Sequence, residues 1–458
     1  LSRSSNDVRA PWLWPLVGRL HFYIGLLVGP FLLIAALSGI LYALTPQIEQ
    51  ALYHHEFYTD DAEGTPLSLA AQVRLARDAH GGNAAPVAVR PASEPGQTTR
   101  VMFADDSLGQ WENMAVFIDP VSGEVRGQLP VYGTSGISAF RIVIDKFHRG
   151  LLLGDVGRLY SELAASWLWI AALGGLALWF KRRASTARRL PAPNASRWHR
   201  RLGPWALIGF LFFSATGLTW SQYAGGNIGE LRALYGWQTP SVSTRLDRPE
   251  PGAAGIHAGH GGSSAPVTAD PAVFDRVLSA ARAEGLSANK IEIIPASDAG
   301  SAWRVREIGR EWPTEVDQAA IDPVSLAVID RTRFEDFPLA AKLTRWGIDL
   351  HMGVLFGLIN QLVLVVFASA LVAMLVMGYV MWWRRRPTRT SAALTPLTLW
   401  QALARAPLAA RLGVIVIAAL IGWALPVLGG SLILLMAIDA GVGLYQRRQG
   451  SAQRQPAL

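Results

Sequence analysis

The stretch RLHFYIGLLVGPFLLIAALSGILYALTPQI, residues 19–48, decides the class of this chain. After Arg19 no charged side chain appears until Glu49, so a helix through it stays apolar for more than the ~20 residues that cross a bilayer. Residues 163–180, 202–229 and 350–383 are also free of charge. A fifth run, residues 412–438, is interrupted by Pro426, Gly429 and Gly430 and resumes past Asp439 to Gln446. It reads as a tight hairpin of two short spans. Buried soluble helices of these lengths would need an implausibly large core, so six membrane spans are expected. The composition agrees: 458 residues, 51% hydrophobic and only 17% charged, against about 25% charge in soluble domains. The first run is too long for a secretory signal, lacks a convincing cleavage site and follows Arg3, Arg9 and Arg19, so it counts as a span.

The net charge of +8 has a side. Lys181, Arg182, Arg183, Arg188, Arg189, Arg197, Arg200 and Arg201 form one cluster without an acid, and Arg384, Arg385, Arg386, Arg389, Arg405 and Arg411 form another. Arg447 and Arg448 follow the last span. Residues 49–145 and 224–345 hold most of the acids. The positive-inside rule then puts both termini and the arginine-rich loops in the cytoplasm and both large loops outside. Trp382 and Trp383, just before Arg384, suit an interfacial belt. No nucleic-acid module accompanies the basic charge, which therefore reports topology.

The resulting order is a first span at 16–48, an outer domain at 49–146, and an outer histidine segment with the second span at 147–183. A cytoplasmic loop at 184–198, a third span at 199–224 and a second outer domain at 225–345 follow. Residues 346–386 repeat the histidine segment with a fourth span. A linker at 387–410, the hairpin at 411–446 and a tail at 447–458 complete the chain.

Internal repetition is the most informative feature. Arg19-Leu20-His21 opens the first span and Arg197-Trp198-His199 the third, each histidine followed at the same spacing by glycine, Gly25 or Gly203. Ser38-Gly39 and Thr216-Gly217 then keep the register. Ile118-Asp119-Pro120-Val121-Ser122 recurs as Ile321-Asp322-Pro323-Val324-Ser325, and His148 recurs as His351. Gly150, Gly154 and Gly175 match Gly353, Gly357 and Gly378. Trp179 to Arg183 matches Trp382 to Arg386. The fold class is thus an α-helical membrane protein with a duplicated unit of span, α+β outer domain and span, plus a C-terminal hairpin. Both copies have one orientation, so they are expected around a pseudo-twofold axis along the membrane normal. Within the outer domains, residues 67–80 and 271–285 read as helices. Residues 86–89, 100–103, 291–294 and 302–308 read as strands, with the Asp-Pro-Val-Ser tetrapeptides as hairpin turns. Residues 249–266, rich in Gly, Ala and Ser, read as a flexible linker.

The chain has nine histidines and no cysteine. That excludes disulfides, thiolate-held metals and clusters, and covalent haem attachment. His21 and His199 stand just inside the cytoplasmic entry of their spans; His148 and His351 stand at the outer side. An ionisable residue at the membrane is a functional candidate because an unpaired polar group there is costly. The pseudo-twofold axis faces His21 with His199 and His148 with His351. Two facing imidazoles can take both axial positions of a haem iron, and the nearby glycines leave room for a flat macrocycle. Zinc or copper is the alternative occupant, though a zinc site usually adds a carboxylate or third histidine. Arg19 and Arg197 suit haem propionates as guanidinium forks, or serve as positive-inside residues. His257 and His260 in the linker form a His-x-x-His that could capture a metal. His54 and His55, beyond the first span, could touch an outer cofactor or substrate. His80 ends a helix and is expected to be inert.

The pattern Arg-x-His-x3-Gly with a later Ser-Gly, an outer module closing on Asp-Pro-Val-Ser-Gly, and a following His-x-Gly-x3-Gly span resembles the PepSY-associated transmembrane proteins. These are iron-regulated proteins of the bacterial inner membrane, and the resemblance covers roughly residues 12–388. It implies periplasmic PepSY-like domains, two b-type haems and ferric-siderophore reductase activity. Carried over, His21 and His199 would ligate an inner haem, His148 and His351 an outer one, with no catalytic side chain beyond the haems. The partners would be a ferric siderophore or other ferric chelate, membrane lipid, and a cytoplasmic or quinol electron donor, since no nucleotide-binding motif is present. The hairpin lies outside the resemblance. Competing classes are a non-catalytic regulator binding a periplasmic partner, which PepSY modules elsewhere suggest, and a metal transporter. Transport would call for acids deep in several spans, and Asp439 is the one found in a span core.

Overall fold

The computed structural model describes residues 12–60, 63–82, 84–133, 136–184, 193–246, 270–385 and 397–452. Outside them lie the linker 249–266 with His257 and His260, and the loop arginines Arg188, Arg189, Arg386 and Arg389. The chain divides into a helical unit, Leu1–Leu41, Lys146–Tyr235 and Leu362–Leu458, and a sheet unit, Tyr42–Asp145 and Gly236–Gln361.

Among the described residues five helices are long and apolar enough to cross a membrane: Leu13–Leu52, Gly154–Ala184, Asn194–Thr219, Gly357–Arg385 and Pro426–Tyr445. The remaining expected span is Leu408–Ala424, whose 17 residues reach only about 25 Å, short of a hydrocarbon layer of roughly 30 Å. Tyr23, Ile24, Val28, Leu32, Trp167, Phe210, Leu371, Leu428 and Leu435 form the core of the helical unit. Ile208, Trp423 and Ile433 are exposed, the reverse of a soluble bundle.

The first helix has a wide turn of π-helix at Ile24–Val28. Tyr379 of the fourth span donates its hydroxyl to the Leu26 carbonyl there, at 3.0 Å. Gly29 must lack a side chain, because a Cβ would lie 2.8 Å from the Tyr379 hydroxyl. In the hairpin, Pro426 begins the second helix, where its missing N–H is no loss. Gly422 and Gly429 let the two helices touch: a Cβ on Gly429 would lie 2.8 Å from the Gly422 carbonyl oxygen. Gly429 is therefore a contact residue rather than a turn residue.

The sheet unit contains strands β1 (Pro86–Arg90), β2 (Thr99–Phe103), β3 (Glu112–Ile118), β4 (Val125–Tyr132), β5 (Ile137–Ser138), β6 (Ile291–Ile294), β7 (Trp303–Glu307), β8 (Gln318–Ile321) and β9 (Val328–Thr332). They form one antiparallel sheet in the order β5-β4-β3-β2-β1-β6-β7-β8-β9. The sequence suggests two separate modules; the structure joins them at β1 and β6, with Val89 opposite Ile293. Pairing removes two edges that would otherwise expose open hydrogen-bonding groups. Helices Leu69–His80 and Ala272–Ala283 cover one face, placing Val73, Ala76, Phe274 and Val277 against Val89, Val101, Ile293 and Val305. Ser68 caps the first of these helices and Gly81, at φ +117°, ends it. Asp275 from the second helix also caps the first, accepting from Leu69 N and Ala70 N at 2.8 Å each. That bond ties the two halves together.

The two Asp-Pro-Val-Ser segments connect β3 to β4 and β8 to β9. Asp119 accepts from Val121 N at 2.8 Å and Asp322 from Val324 N at 3.0 Å, the side chain mimicking a backbone turn. The next turn residue is left-handed in both, Gly123 at φ +79° and Leu326 at φ +61°. Only the first is the residue type that adopts this conformation without strain.

Candidate functional site

In the helical unit His21 and His199 come together. Their ring centres are 6.4 Å apart and their planes meet at 79°. His21 Nδ1 lies 3.0 Å from the Ala171 carbonyl oxygen, and His199 Nδ1 lies 3.1 Å from that of Met374. A carbonyl only accepts, so each Nδ1 carries the proton and, in the neutral ring, each Nε2 keeps its lone pair. Such a bond fixes the tautomer and orientation of a ligating histidine. Ala171 stands four residues before Gly175 and Met374 four before Gly378, so the two carbonyls occupy matching places in the repeat.

The spacing suits one metal ion between the rings. An imidazole nitrogen binds a first-row metal at about 2.0–2.1 Å, which sets the centres of two opposed rings roughly 6 Å apart. The glycines divide into two kinds. A Cβ on Gly175 would lie 3.1 Å from His21 Cε1, so this glycine seats the imidazole. A Cβ on Gly25 or Gly378 would meet nothing within 4 Å, and one on Gly203 would meet only Met374 Cε, at 3.6 Å. There the bundle leaves space.

His148 lies near the end of helix Ala139–Gly150, also in the helical unit. Its Nδ1 is 2.9 Å from Ser38 Oγ. Ser38 gives its proton to the Ile34 carbonyl at 2.7 Å, so its oxygen accepts from Nδ1–H and Nε2 is again left unprotonated. A Cβ on Gly39 would lie 3.3 Å from His148 Cε1. Burial, aided by the Arg149 guanidinium, pushes the imidazole down to about 4 and holds it neutral. Tyr160 donates its hydroxyl to the carbonyl of His148. Ser38 follows His21 by 17 residues, about 25 Å along a helix, so the two histidines occupy different depths.

His351 belongs to the sheet unit, as the last residue of helix Leu339–His351. Buried Asp349 fixes this segment, accepting from Arg310 Nε at 2.7 Å and Arg345 Nε at 2.8 Å. Asn360 donates to the Leu350 carbonyl at 2.9 Å. Gly353 (φ +75°) and Gly357 (φ +54°) turn the chain into the next helix. Gly154, at φ +60°, does the same after His148. Gly150 packs against Gly157, where a Cβ would overlap the Gly150 carbonyl. Gly154 and Gly357 combine a left-handed turn with open space, since a Cβ on either would meet nothing within 4 Å.

Arg19 makes its contacts with a tyrosine and an acid. It donates to the Tyr23 hydroxyl at 2.6 Å, lies over the Tyr23 ring and sits 3.8 Å from Asp439. Asp439 is fully buried and accepts from Tyr23 at 2.7 Å and from Trp400 N at 3.1 Å. The hairpin is thereby fastened to the first span beside His21. Arg197 is exposed and pairs with Asn194. A second buried acid, Glu162, caps helix Tyr223–Leu234 through Tyr223 N and Ala224 N, both at 2.9 Å. His54 and His55 are exposed on a short helix, and the His80 ring stacks on Phe103 at 4.4 Å. Among the described residues no three His, Asp or Glu side chains gather as a metal-binding group.

Residues 18–385 match the family model of the PepSY-associated TM region. The chain belongs to this family. No curated protein matches it. All four repeated histidines of this PepSY-associated protein fall inside the matched region, with Ala171, Met374, Ser38 and Asp349. Asp439 and the hairpin fall beyond it. Sequence reasoning missed the carbonyl partners because every residue has one, and it missed Asp349 because its arginines are recruited by folding. Ser38-Gly39 did stand out, through repetition, before its contact with His148 was known.

Proposed function

We propose that this PepSY-associated protein is a dihaem electron carrier of the bacterial inner membrane that reduces a ferric chelate, a siderophore above all, on the periplasmic side. Electrons enter from a cytoplasmic donor or a membrane quinol. The observation that carries this reading is the His21–His199 pair, with both Nδ1–H groups held by main-chain carbonyls and both Nε2 lone pairs available. A bis-histidine b haem supplies one-electron transfer at an iron with no open coordination site. His21 and His199 would hold the inner haem, and His148 and His351 the outer one. Six spans follow if the short helix Leu408–Ala424 crosses together with its hairpin partner, and a duplicated four-span core follows from the sequence repeat. Arg182, Arg183, Arg384 and Arg385 at the span ends favour cytoplasmic termini and periplasmic large loops.

The chain's own residues have definite tasks. Ala171 and Met374 carbonyls keep the inner imidazoles in the ligating tautomer, and Ser38 does so for His148. Gly175 and Gly39 let the His21 and His148 rings sit against neighbouring helices. Reduction of the substrate takes one electron per ferric ion, and most siderophores hold the ferrous product weakly.

The test combines a spectrum with a direction. Protein purified from haem-replete cells should show the reduced-minus-oxidised bands of six-coordinate b-type haem. Vesicles of defined orientation, supplied with donor on the cytoplasmic face, should reduce a membrane-impermeant ferric chelate on the other. A colourless protein would sink the reading. Gly25→Leu provides a finer check, because the protein itself leaves that place open: folding should be kept and haem per polypeptide should fall. Full haem retention in Gly25→Leu would place the macrocycle elsewhere.

A further inference from the structure

The sheet face turned away from the two helices carries an excess of arginine. Val89, Val101, Ile293 and Val305 pack under the helices, so the alternating residues Arg90, Arg100, Glu292, Arg304 and Arg306 project to the opposite face. Arg90 lies opposite Arg100 across β1 and β2, and Arg306 lies opposite Glu292 across β6 and β7. Glu292 accepts from Arg90 Nε at 2.8 Å and from Arg306 Nε at 2.6 Å. Burial pushes its carboxyl up, but the two guanidiniums outweigh that and hold it below the usual range. This single carboxylate is shared by two arginines.

Arg100 and Arg304 have no carboxylate of their own among the described residues. Arg100 lies over the Phe57 and Phe117 rings and reaches the Gly136 carbonyl at 3.5 Å, and burial pulls its guanidinium down to about 10. Glu49, whose charge also acts on Arg100, is bonded to Arg141 at 3.0 Å and to Ser138 N at 2.8 Å. Arg304 is half-buried, and its Nε is enclosed without a hydrogen-bond partner. Among the described residues, one carboxylate, Glu292, is therefore bonded to this group of four guanidiniums. Partly desolvated charge without a counter-ion is costly, and guanidinium forks match the paired oxygens of carboxylates and catecholates.

We infer that this arginine face binds the chelate and selects multiply anionic ones, in which carboxylate or catecholate oxygens hold the iron, over uncharged hydroxamate chelates. The inference rests on the reductase reading for the identity of the ligand. It needs no electron transfer. Gallium(III) has the charge of ferric iron and nearly its size, and it resists reduction, so gallium chelates separate binding from turnover.

Full-length protein in detergent should bind a gallium tris-catecholate with an affinity that falls as salt is raised, and should bind a gallium trihydroxamate far more weakly. Arg304→Gln should weaken the tris-catecholate about tenfold, since a charge-assisted bond is lost, and leave the trihydroxamate unchanged. Arg304→Lys, keeping charge without the fork, should fall between. Equal wild-type binding of the two chelates would overturn the inference, and so would an unchanged affinity in Arg304→Gln. Loss of haem from Arg304→Gln with chelate binding intact would overturn it too, by assigning the face to a haem carboxylate. Binding that persists in His21→Ala, where electron transfer fails, would support it. Wild-type protein that binds the gallium chelate without reducing the ferric one would refute the reductase reading and leave this inference standing.

Discussion

His199→Ala protein should retain about half of the wild-type haem per polypeptide, with the remaining haem still six-coordinate. His199 is one side of the pair whose rings stand 6.4 Å apart, and nothing else described is poised to replace its Nε2. The substitution is mild for the fold: His199 is only partly buried, and alanine is the best helix former. His21→Ala should give the same result, and combining His21→Ala with His148→Ala should remove nearly all haem. His54→Ala should change nothing, because that ring is exposed beside Tyr58. Haem extracted as its pyridine complex, divided by protein concentration, measures each value. A full complement in His199→Ala would break the assignment.

Asp439→Ala should lower stability by about 3–5 kcal/mol, the usual result of removing one partner from a buried ion pair. The Arg19 guanidinium would lose its counter-charge, while the Tyr23 hydroxyl and Trp400 N would lose their acceptor. Asp439→Asn should cost less, because an amide oxygen still accepts one of those bonds. Pairing Arg19→Met with Asp439→Leu should recover most of the loss, since both charges then leave the apolar interior together. Thermal unfolding in detergent, with protease sensitivity of the hairpin alongside, reports all three. An unfolding temperature for Asp439→Ala equal to that of wild type would show that the hairpin is held by packing alone.

Five of the six expected spans were legible in the sequence, and so were the matching positions of the four histidines, for a physical reason. Charge-free runs longer than a bilayer have few alternative uses, and histidines kept at matching places in a repeat invite a shared task. The strands around Val89, Val101, Ile293 and Val305 were legible too, because alternation reports a half-buried sheet. Arg19 and Arg197 were read alike, as propionate partners or as positive-inside residues. The two differ in one respect: among the described residues only Arg19 meets an acid, and the acid comes from the far end of the chain. Gly154 and Gly357 were read for the space they leave; their positive φ adds a backbone role that spacing alone does not report.

Long charge-free runs, clustered arginines and motifs repeated with a histidine in each are readable before folding, and of these the runs set the membrane class. These properties are local or periodic, and a chain carries them before it folds. That β1 meets β6, that Asp275 caps the neighbouring helix, that Asp439 reaches Arg19 and that two main-chain carbonyls hold His21 and His199 emerges on folding. Each of those contacts joins groups distant in the chain, several through backbone atoms that all residues share. Which of them meet is set by packing, and packing leaves no local mark.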